Sequence, residues 1–469
     1  MRAAVLGLAV LAPLMGCARD NPLFGATGGQ GTAGGTGDGT GAAGPDDPSV
    51  ATAGSSTGDR PSTGGGGTGD GTGDADSGTP QACTNGELDP GEECDNDSDY
   101  CVDCVDSGSI EWTLLYSGGL AQSDDRFYSA AFADDRLAVV GRVRLTEDNG
   151  AGSDAIFGLV DPVLGEFISE PLVLETAEGQ SLATSRFFDV VVADDVAYAA
   201  GALEFAGGGE GQRPAVAAYN IADDPYLDGL YTTFPGREAH AMTLYGDELH
   251  LALSNFGAQG QGHGTAVVLL SSGQPFSWFS AQVGDEGNAV TVLGDSVIVG
   301  GMVGSSAFLG VSNGDTPPTP LANLGLIGDG RVQGLLPLEG DLIVTGFAGS
   351  DARSPWIGRY DDEGAEVWST VLPGGGTAEE FETATQDGAG NIVALGHIEE
   401  PTAGHLMVFS PDGVPLFEQV YAFGPETRLS DVIYSANHAA LFIVGTQPRD
   451  PDDVSVGKDA LVMRLAWDL

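Results

Sequence analysis

The sequence predicts an all-β fold, a seven-bladed β-propeller of four-stranded antiparallel blades spanning residues 110–469. Three observations carry that expectation. Short alternating strands recur at a regular spacing, tight-turn residues separate the first two strands of each recurrence, and helical periodicity is absent throughout. The second strands end at positions 141, 201, 253, 301, 346, 396 and 445, so the repeat runs at 60, 52, 48, 45, 50 and 49 residues. Units of four short strands at such a period bury their faces only by stacking radially.

In chain order, the first and second strands are expected at 127–133 with 136–141, 188–193 with 196–201, and 239–245 with 248–253. They continue at 289–293 with 296–301, 332–337 with 342–346, 382–386 with 391–396, and 430–435 with 439–445. Between them stand Asp134-Asp135, Asp194-Asp195, Gly246-Asp247, Gly294-Asp295, Gly340-Asp341, Gly388-Ala389-Gly390 and Asn437-His438. Most of these residue types tolerate the left-handed backbone of a tight hairpin. The last unit has a third strand at 460–466 and lacks a fourth. Glu111-Trp112-Thr113-Leu114-Leu115-Tyr116 has the Trp-bearing pattern of the fourth strands at 275–278 and 366–369, so it is expected to close the ring and remove an open sheet edge.

Upstream of the propeller, residues 1–16 read as a lipoprotein signal peptide. Met1 and Arg2 give a positive start, and residues 3–14 are apolar apart from Gly7 and Pro13, a run too short to span a bilayer. It ends in Leu14-Met15-Gly16-Cys17, which resembles a bacterial lipobox. The resemblance implies that Cys17 is thioether-linked to diacylglycerol and that the mature amino terminus is acylated, a multi-chain anchor of stable kind. Ala18 stands where such proteins carry Asp for inner-membrane retention, which implies an outer-membrane or cell-surface location. Residues 17–82 read as a lipid-anchored low-complexity linker, with 20 glycines in the 56 residues from Gly25 to Pro80 and Val50 as the one large aliphatic. Nothing there offsets the entropy of ordering the chain. As a Gly-rich coil it spans roughly 40 Å r.m.s..

Residues 83–106 read as a small disulfide module. Cys83, Cys94, Cys101 and Cys104 are even in number in an exported chain, which implies two disulfides with three pairings open. A module of this size needs such staples. An all-cysteine zinc site competes, against the wide Cys83–Cys94 interval and an oxidising compartment. Nine carboxylates and no base fall in this segment, so Asp95, Asp97 and Asp99 are candidate Ca²⁺ ligands, without the spacing of an EF-hand loop. Ca²⁺ is the one cofactor left open. Cys83-Thr84-Asn85-Gly86, followed by Gly91-Glu92-Glu93-Cys94-Asp95, resembles the short cysteine-rich repeat of myxobacterial surface proteins, with a shortened acidic middle at 96–100.

Charge narrows the partners. Asp and Glu number 68 against 17 Lys and Arg, a net −51, and Lys458 is the sole lysine. Such a chain repels phosphate backbones, which excludes nucleic acid. Residues 1–109 carry 17 acids and 3 bases and residues 110–469 carry 51 and 14, so the excess belongs chiefly to the propeller, where much of it sits in hairpin turns.

Tyr360-Asp361-Asp362-Glu363-Gly364-Ala365-Glu366-Val367-Trp368-Ser369 resembles the repeats of quinoprotein-type propellers, and Ser410-Pro411-Asp412-Gly413 is a fainter copy. The resemblance implies the fold. Quinone-dependent members imply a vicinal disulfide and a Ca²⁺-bound cofactor, and no adjacent cysteine pair exists here, so that activity is not carried over. There is no Gly-x-Ser-x-Gly, His-Glu-x-x-His or Gly-Lys-Ser/Thr motif, and no catalytic residue is assigned. His240, His250 and His263 surround one hairpin as a candidate metal trio, and His397 and His405 bracket another. Turn and strand histidines are usually structural. Glu379-Glu380 and Glu399-Glu400 are adjacent rather than facing and read as solvated loop charges, and Trp112, Trp278, Trp368 and Trp467 as packing between blades.

The expected protein is thus a monomeric, lipid-anchored surface protein. It presents a non-catalytic propeller as a binding or scaffolding module for an extracellular protein or glycan, with 142–153, 202–212 and 255–264 as recognition loops. A polysaccharide lyase or hydrolase is the first competing reading, and an outer-membrane protein-assembly lipoprotein the second, which the long spacer opposes. Three or more inward carboxylates or histidines at one channel mouth would favour the enzyme, and an uninterrupted apolar or Gly-lined channel would favour binding.

Overall fold

The second strand of each unit is its most apolar segment, and the structure shows why. Arg136–Val143 reads Arg-Leu-Ala-Val-Val-Gly-Arg-Val, with Leu137 to Gly141 buried in succession. A strand buried on both faces lies between two other sheets and loses its polar alternation. Ile392–Glu399 and Ala440–Pro448 follow the same rule.

The computed structural model describes residues 101–468 apart from 103–104, 121–122, 146–151, 178, 208–210, 223, 233–236, 255–262, 270–273, 280–285, 313–318, 322–328, 350–352, 374–378, 400–401 and 452–455. The described residues form an all-β propeller with mostly four-stranded antiparallel blades. Six blades are continuous in sequence. Their first strands are Arg126–Ala133, Gln180–Ala193, Glu238–Tyr245, Glu286–Leu293, Gly330–Pro337 and Glu379–Gln386 (blades 1 to 6). A further four-stranded sheet is split. Its first three strands are Arg428–Ser435, Ala440–Pro448 and Lys458–Ala466, and its outer strand is Ile110–Tyr116. Each first strand packs against the first strand of the next sheet, and Arg428–Ser435 packs against Arg126–Ala133.

The split sheet pairs Trp112 with Arg464 and Tyr116 with Ala460. Gly108 N–H donates to Ala466 O (2.8 Å) and Ala466 N–H to Ser109 O (3.0 Å), so residues 107–109 replace a covalent turn. Elsewhere a left-handed glycine in the turn before the outer strand lies under an aromatic of the preceding sheet: Gly165 under Trp112 and Gly413 under Trp368. Gly108, also left-handed, lies in the same way under Phe417.

One steric device repeats in all seven sheets of the propeller. Each first strand skips a residue in its pairing, at Tyr128, Phe188, His240, Asn288, Gln333, Glu382 and Ser430. The residue before each bulge pairs with Gly141, Gly201, Leu253, Gly301, Gly346, Gly396 or Gly445. A Cβ on any of the six glycines would run into the carbonyl oxygen of the residue two before the bulge, as at Gly141 against Arg126 O and Gly396 against Glu380 O. The glycines that end the second strands are therefore imposed by the bulges. Nothing in the structure explains Leu253.

Apolar clusters fill the spaces between sheets. Phe127, Leu137 and Val139 meet Phe442 and Val444 between the split sheet and blade 1. Phe157 stacks on Tyr219 at 4.2 Å between blades 1 and 2. Trp112, Trp368 and Trp467 pack between sheets as expected, joined by the fully buried Trp356.

Several expectations are corrected. The hairpin at 436–439 places Ala439, not Asn437 or His438, in the left-handed region, at φ 44°. Arg142 and Val143, Ala202 to Phe205, and His263 and Gly264 belong to strands rather than recognition loops. The remainder of those loops lies largely outside the described residues. Cys101–Val102 pairs with Val105–Asp106. Cys17, Cys83, Cys94, Cys104 and the acids Asp95, Asp97 and Asp99 lie outside the described residues.

Candidate functional site

The bulges decide what lines the central channel. All seven bulged side chains, Tyr128, Phe188, His240, Asn288, Gln333, Glu382 and Ser430, face one cavity of about 500 Å³. Two residues earlier in each first strand come Arg126, Arg186, Glu238, Glu286, Arg331, Glu380 and Arg428. Arg126 pairs in register with Arg142, so strand starts and second-strand ends share one end of the channel with the loops that follow the second strands. The charges interlock: Arg186 binds Glu238, Arg331 lies 2.8 Å from Glu286, and Arg126 lies 3.4 Å from Glu382. Burial pushes Glu238 up, but His240 and Arg186 outweigh it and hold the carboxyl below its usual range.

Glu380, Glu382 and His397 bring their ligand atoms within 4.8 Å of one another. Glu380 is therefore a buried strand residue facing a partner, not a solvated loop charge. Arg428 Nη2 lies 3.2 Å from His397 Nε2. His397 Nε2 also lies 3.5 Å from Glu380 Oε1, and its Nδ1 lies 3.1 Å from Glu382 Oε1. Burial pushes Glu382 up, and the His397 hydrogen bond with the Arg126 and Arg428 charges more than reverses it. Glu380 Oε2 meets Gln333 Nε2 at 3.3 Å and Arg353 at 3.6 Å. Two carboxylates and an imidazole form a donor set a cation can use, yet three guanidiniums already neutralise it.

A second group crosses the channel. Ser129 Oγ lies 2.9 Å from Asp189 Oδ1 and 3.0 Å from Asp431 Oδ2. A hydroxyl has one proton, so one of these contacts requires a carboxyl proton. Burial pushes Asp189 up to about 6 and Asp431 up to about 7, which supplies that proton near neutrality. Both acids also staple sheets together. Asp189 accepts Met242 N–H from blade 3 (2.6 Å), and Asp431 accepts Ala130 N–H from blade 1 (3.1 Å) and the Thr383 hydroxyl from blade 6 (3.2 Å).

The histidine trio does not assemble among the described groups. His240 turns to Glu238 (3.1 Å) and His250 to Glu248 (3.3 Å), while the His263 side chain is not described. Burial pushes His250 down. His405 faces away from the channel, toward Glu418 on the outer strand (2.9 Å). Sequence reasoning missed Glu382, Arg126, Arg428, Asp189 and Asp431. The one signal at hand was Glu380-x-Glu382 on a strand: the register pairs Glu380 with His397, and the bulge turns Glu382 into the same cavity.

No family model matches the chain, and no curated protein does. Among solved structures it is similar to the CNH domain of AfRom2, at 10% identity and TM-score 0.43 over 75% of this chain and 98% of that one. It is similar also to a chain of the mitotic checkpoint complex, at 11% identity and TM-score 0.48 over 77% and 96%. Sqt1 from Chaetomium thermophilum gives 12% identity and TM-score 0.44 over 77% and 100%. The propeller assignment rests on the chain's own sheet order, and no ligand or activity is transferred from these proteins.

Proposed function

We propose that this chain is an exported, lipid-anchored surface protein that presents a seven-bladed propeller, with the split sheet as its seventh blade, as a monomeric and non-catalytic binding module for an extracellular glycan or protein. One observation carries the reading. Seven sheets repeat the same bulge, yet the seven side chains it aims into the channel are all different. Repetition serves the fold, and variation at the single inward position serves recognition of an asymmetric ligand. Residues 1–16 are its signal peptide, Cys17 its lipid attachment, 17–82 its tether and 83–106 its disulfide module, with Cys83, Cys94, Cys101 and Cys104 paired. Ca²⁺ at Asp95, Asp97 and Asp99 belongs to the same proposal. Labelling cells with a palmitate analogue tests the anchor, because Cys17→Ala should lose the label and leave the membrane fraction.

The second reading, a polysaccharide lyase or hydrolase, is favoured by Glu380, Glu382 and His397 meeting at one mouth. Against it, Glu380 and Glu382 are ion-paired and the two buried aspartates are taken up by backbone N–H groups. A glycan and protein pull-down with residues 107–469, with and without Ca²⁺, decides between them when product release is followed in parallel. Capture without new reducing ends or unsaturated sugars supports the module, and turnover overturns it.

A further inference from the structure

On a chain of net −51, cations that gather in one place are informative. Arg126, Arg142, Arg428 and Lys458, with the carboxylates Asp124, Glu399 and Glu426, line a second cavity of about 400 Å³ at the loop end, where blade 6, the split sheet and blade 1 meet. Arg126 and Arg428 also line the channel cavity, so their guanidiniums form the wall the two spaces share. The four cations are not equally neutralised. Lys458 has Asp124 at 3.3 Å and Glu426 at 2.8 Å, and Arg142 binds Asp124 as well. Arg126 spends Nε on Ser430 Oγ (2.9 Å) and Nη2 on Glu382 (3.4 Å). Arg428 meets His397 at 3.2 Å, acts on Glu382 through its charge, and among the described residues pairs with a carboxylate at Glu399, 3.9 Å away, with 39% of its side chain exposed.

We infer that this mouth recognises a short oligosaccharide carrying a uronic-acid carboxylate, held by Arg428 and Arg126. The inference rests on the binding-module reading and names the ligand class for the same site. A guanidinium has five N–H donors in a planar fork matched to a carboxylate, and the contacts above leave donors on both arginines. Next to them Tyr128 and Phe188 lie edge to face at 5.3 Å, with Arg126 over the Tyr128 ring at 4.7 Å and His240 against Phe188 at 4.8 Å, so a sugar ring would meet what these neighbours leave uncovered. Across the cavity Asn288 and Gln333 offer amide donors and acceptors to hydroxyls. The surrounding acids limit the ligand to few charges, because repulsion from an acidic chain reaches about 8 Å at physiological ionic strength. A long polyanion is disfavoured where a single carboxylate seated between two arginines is not.

Calorimetric titration of the full chain with digalacturonate and with its neutral counterpart galactobiose tests this. The acidic sugar should bind at least about tenfold more tightly, a difference of about 1.4 kcal/mol. Arg428→Gln should bring digalacturonate down to the affinity of galactobiose, and Tyr128→Ala should weaken both sugars together. Equal affinity for the two sugars, no heat from digalacturonate, or an indifferent Arg428→Gln variant overturns the inference. So does capture of an acidic peptide that digalacturonate fails to displace. In each of those cases the module reading survives if some ligand is held and lost on Tyr128→Ala, whereas turnover of a sugar polymer removes both.

Discussion

The two ends of the channel use acidic residues for opposite reasons. At the hairpin end Asp134 and Asp194 hold left-handed backbone at φ 54° and 50°, positions that Gly246, Gly294 and Gly340 take in other sheets. Asp serves there because its short side chain tolerates that conformation. At the loop end the acids answer arginines, as Glu238 answers Arg186 and Glu286 answers Arg331, and removing either partner strands a charge. Net charge therefore says most about turns, and the proposed ligand is argued from the minority of cations at the other end.

The largest expected effect ignores the distinction and calibrates it. Deleting residues 110–116 leaves Lys458–Ala466 as an open edge and takes Trp112 from the cluster with Phe442, so the cooperative melting transition should be lost or fall steeply in calorimetry. An unchanged transition would refute closure. Next comes the steric device of the loop end. Gly396→Val drives a side chain into a backbone carbonyl that cannot step aside, and about 3 kcal/mol or more of stability should go in urea unfolding.

The repeat period and the turns could be read from the chain because both are local: alternation, Gly and Asp lie within a few residues of one another. The glycines at 141, 201, 301, 346, 396 and 445 were visible as marks of strand ends, but their cause was not, since it needs the bulge opposite. The candidate site was hidden for a related reason. Arg126 and Ser430 touch across 304 positions, and only the circular order of the sheets brings them together. His397 stands out in the sequence, yet only the fold sets it beside Glu382.

A third test separates buried acids from turn acids by pH. Asp189 and Asp431 have folded values raised above the unfolded 3.8, to about 6 and about 7. The folded state then binds more protons than the unfolded one, so their contribution is fully present below pH 3.8 and is lost as pH rises through 6 to 7. Asp431→Asn mimics the protonated form and should flatten the fall in melting temperature between pH 5 and 8. A wild-type slope in that variant would remove the shared proton from the account. The smallest effect is expected at the hairpin end, where Asp194→Gly eases a left-handed residue and should shift stability by about 0.5 kcal/mol or less. A larger loss there would mean that the turn acids also carry an electrostatic load.

The clasp between Ile110–Tyr116 and Lys458–Ala466 also orders the protein's own manufacture. The outer strand leaves the ribosome first, and its partner follows about 340 residues later, roughly 20–70 s at ordinary elongation rates. Through that interval the six continuous blades can pair within themselves, while Trp112 and its neighbours wait without a sheet. The first propeller strand made is the last one seated, and a nascent chain is exposed to misassembly until its final segment arrives.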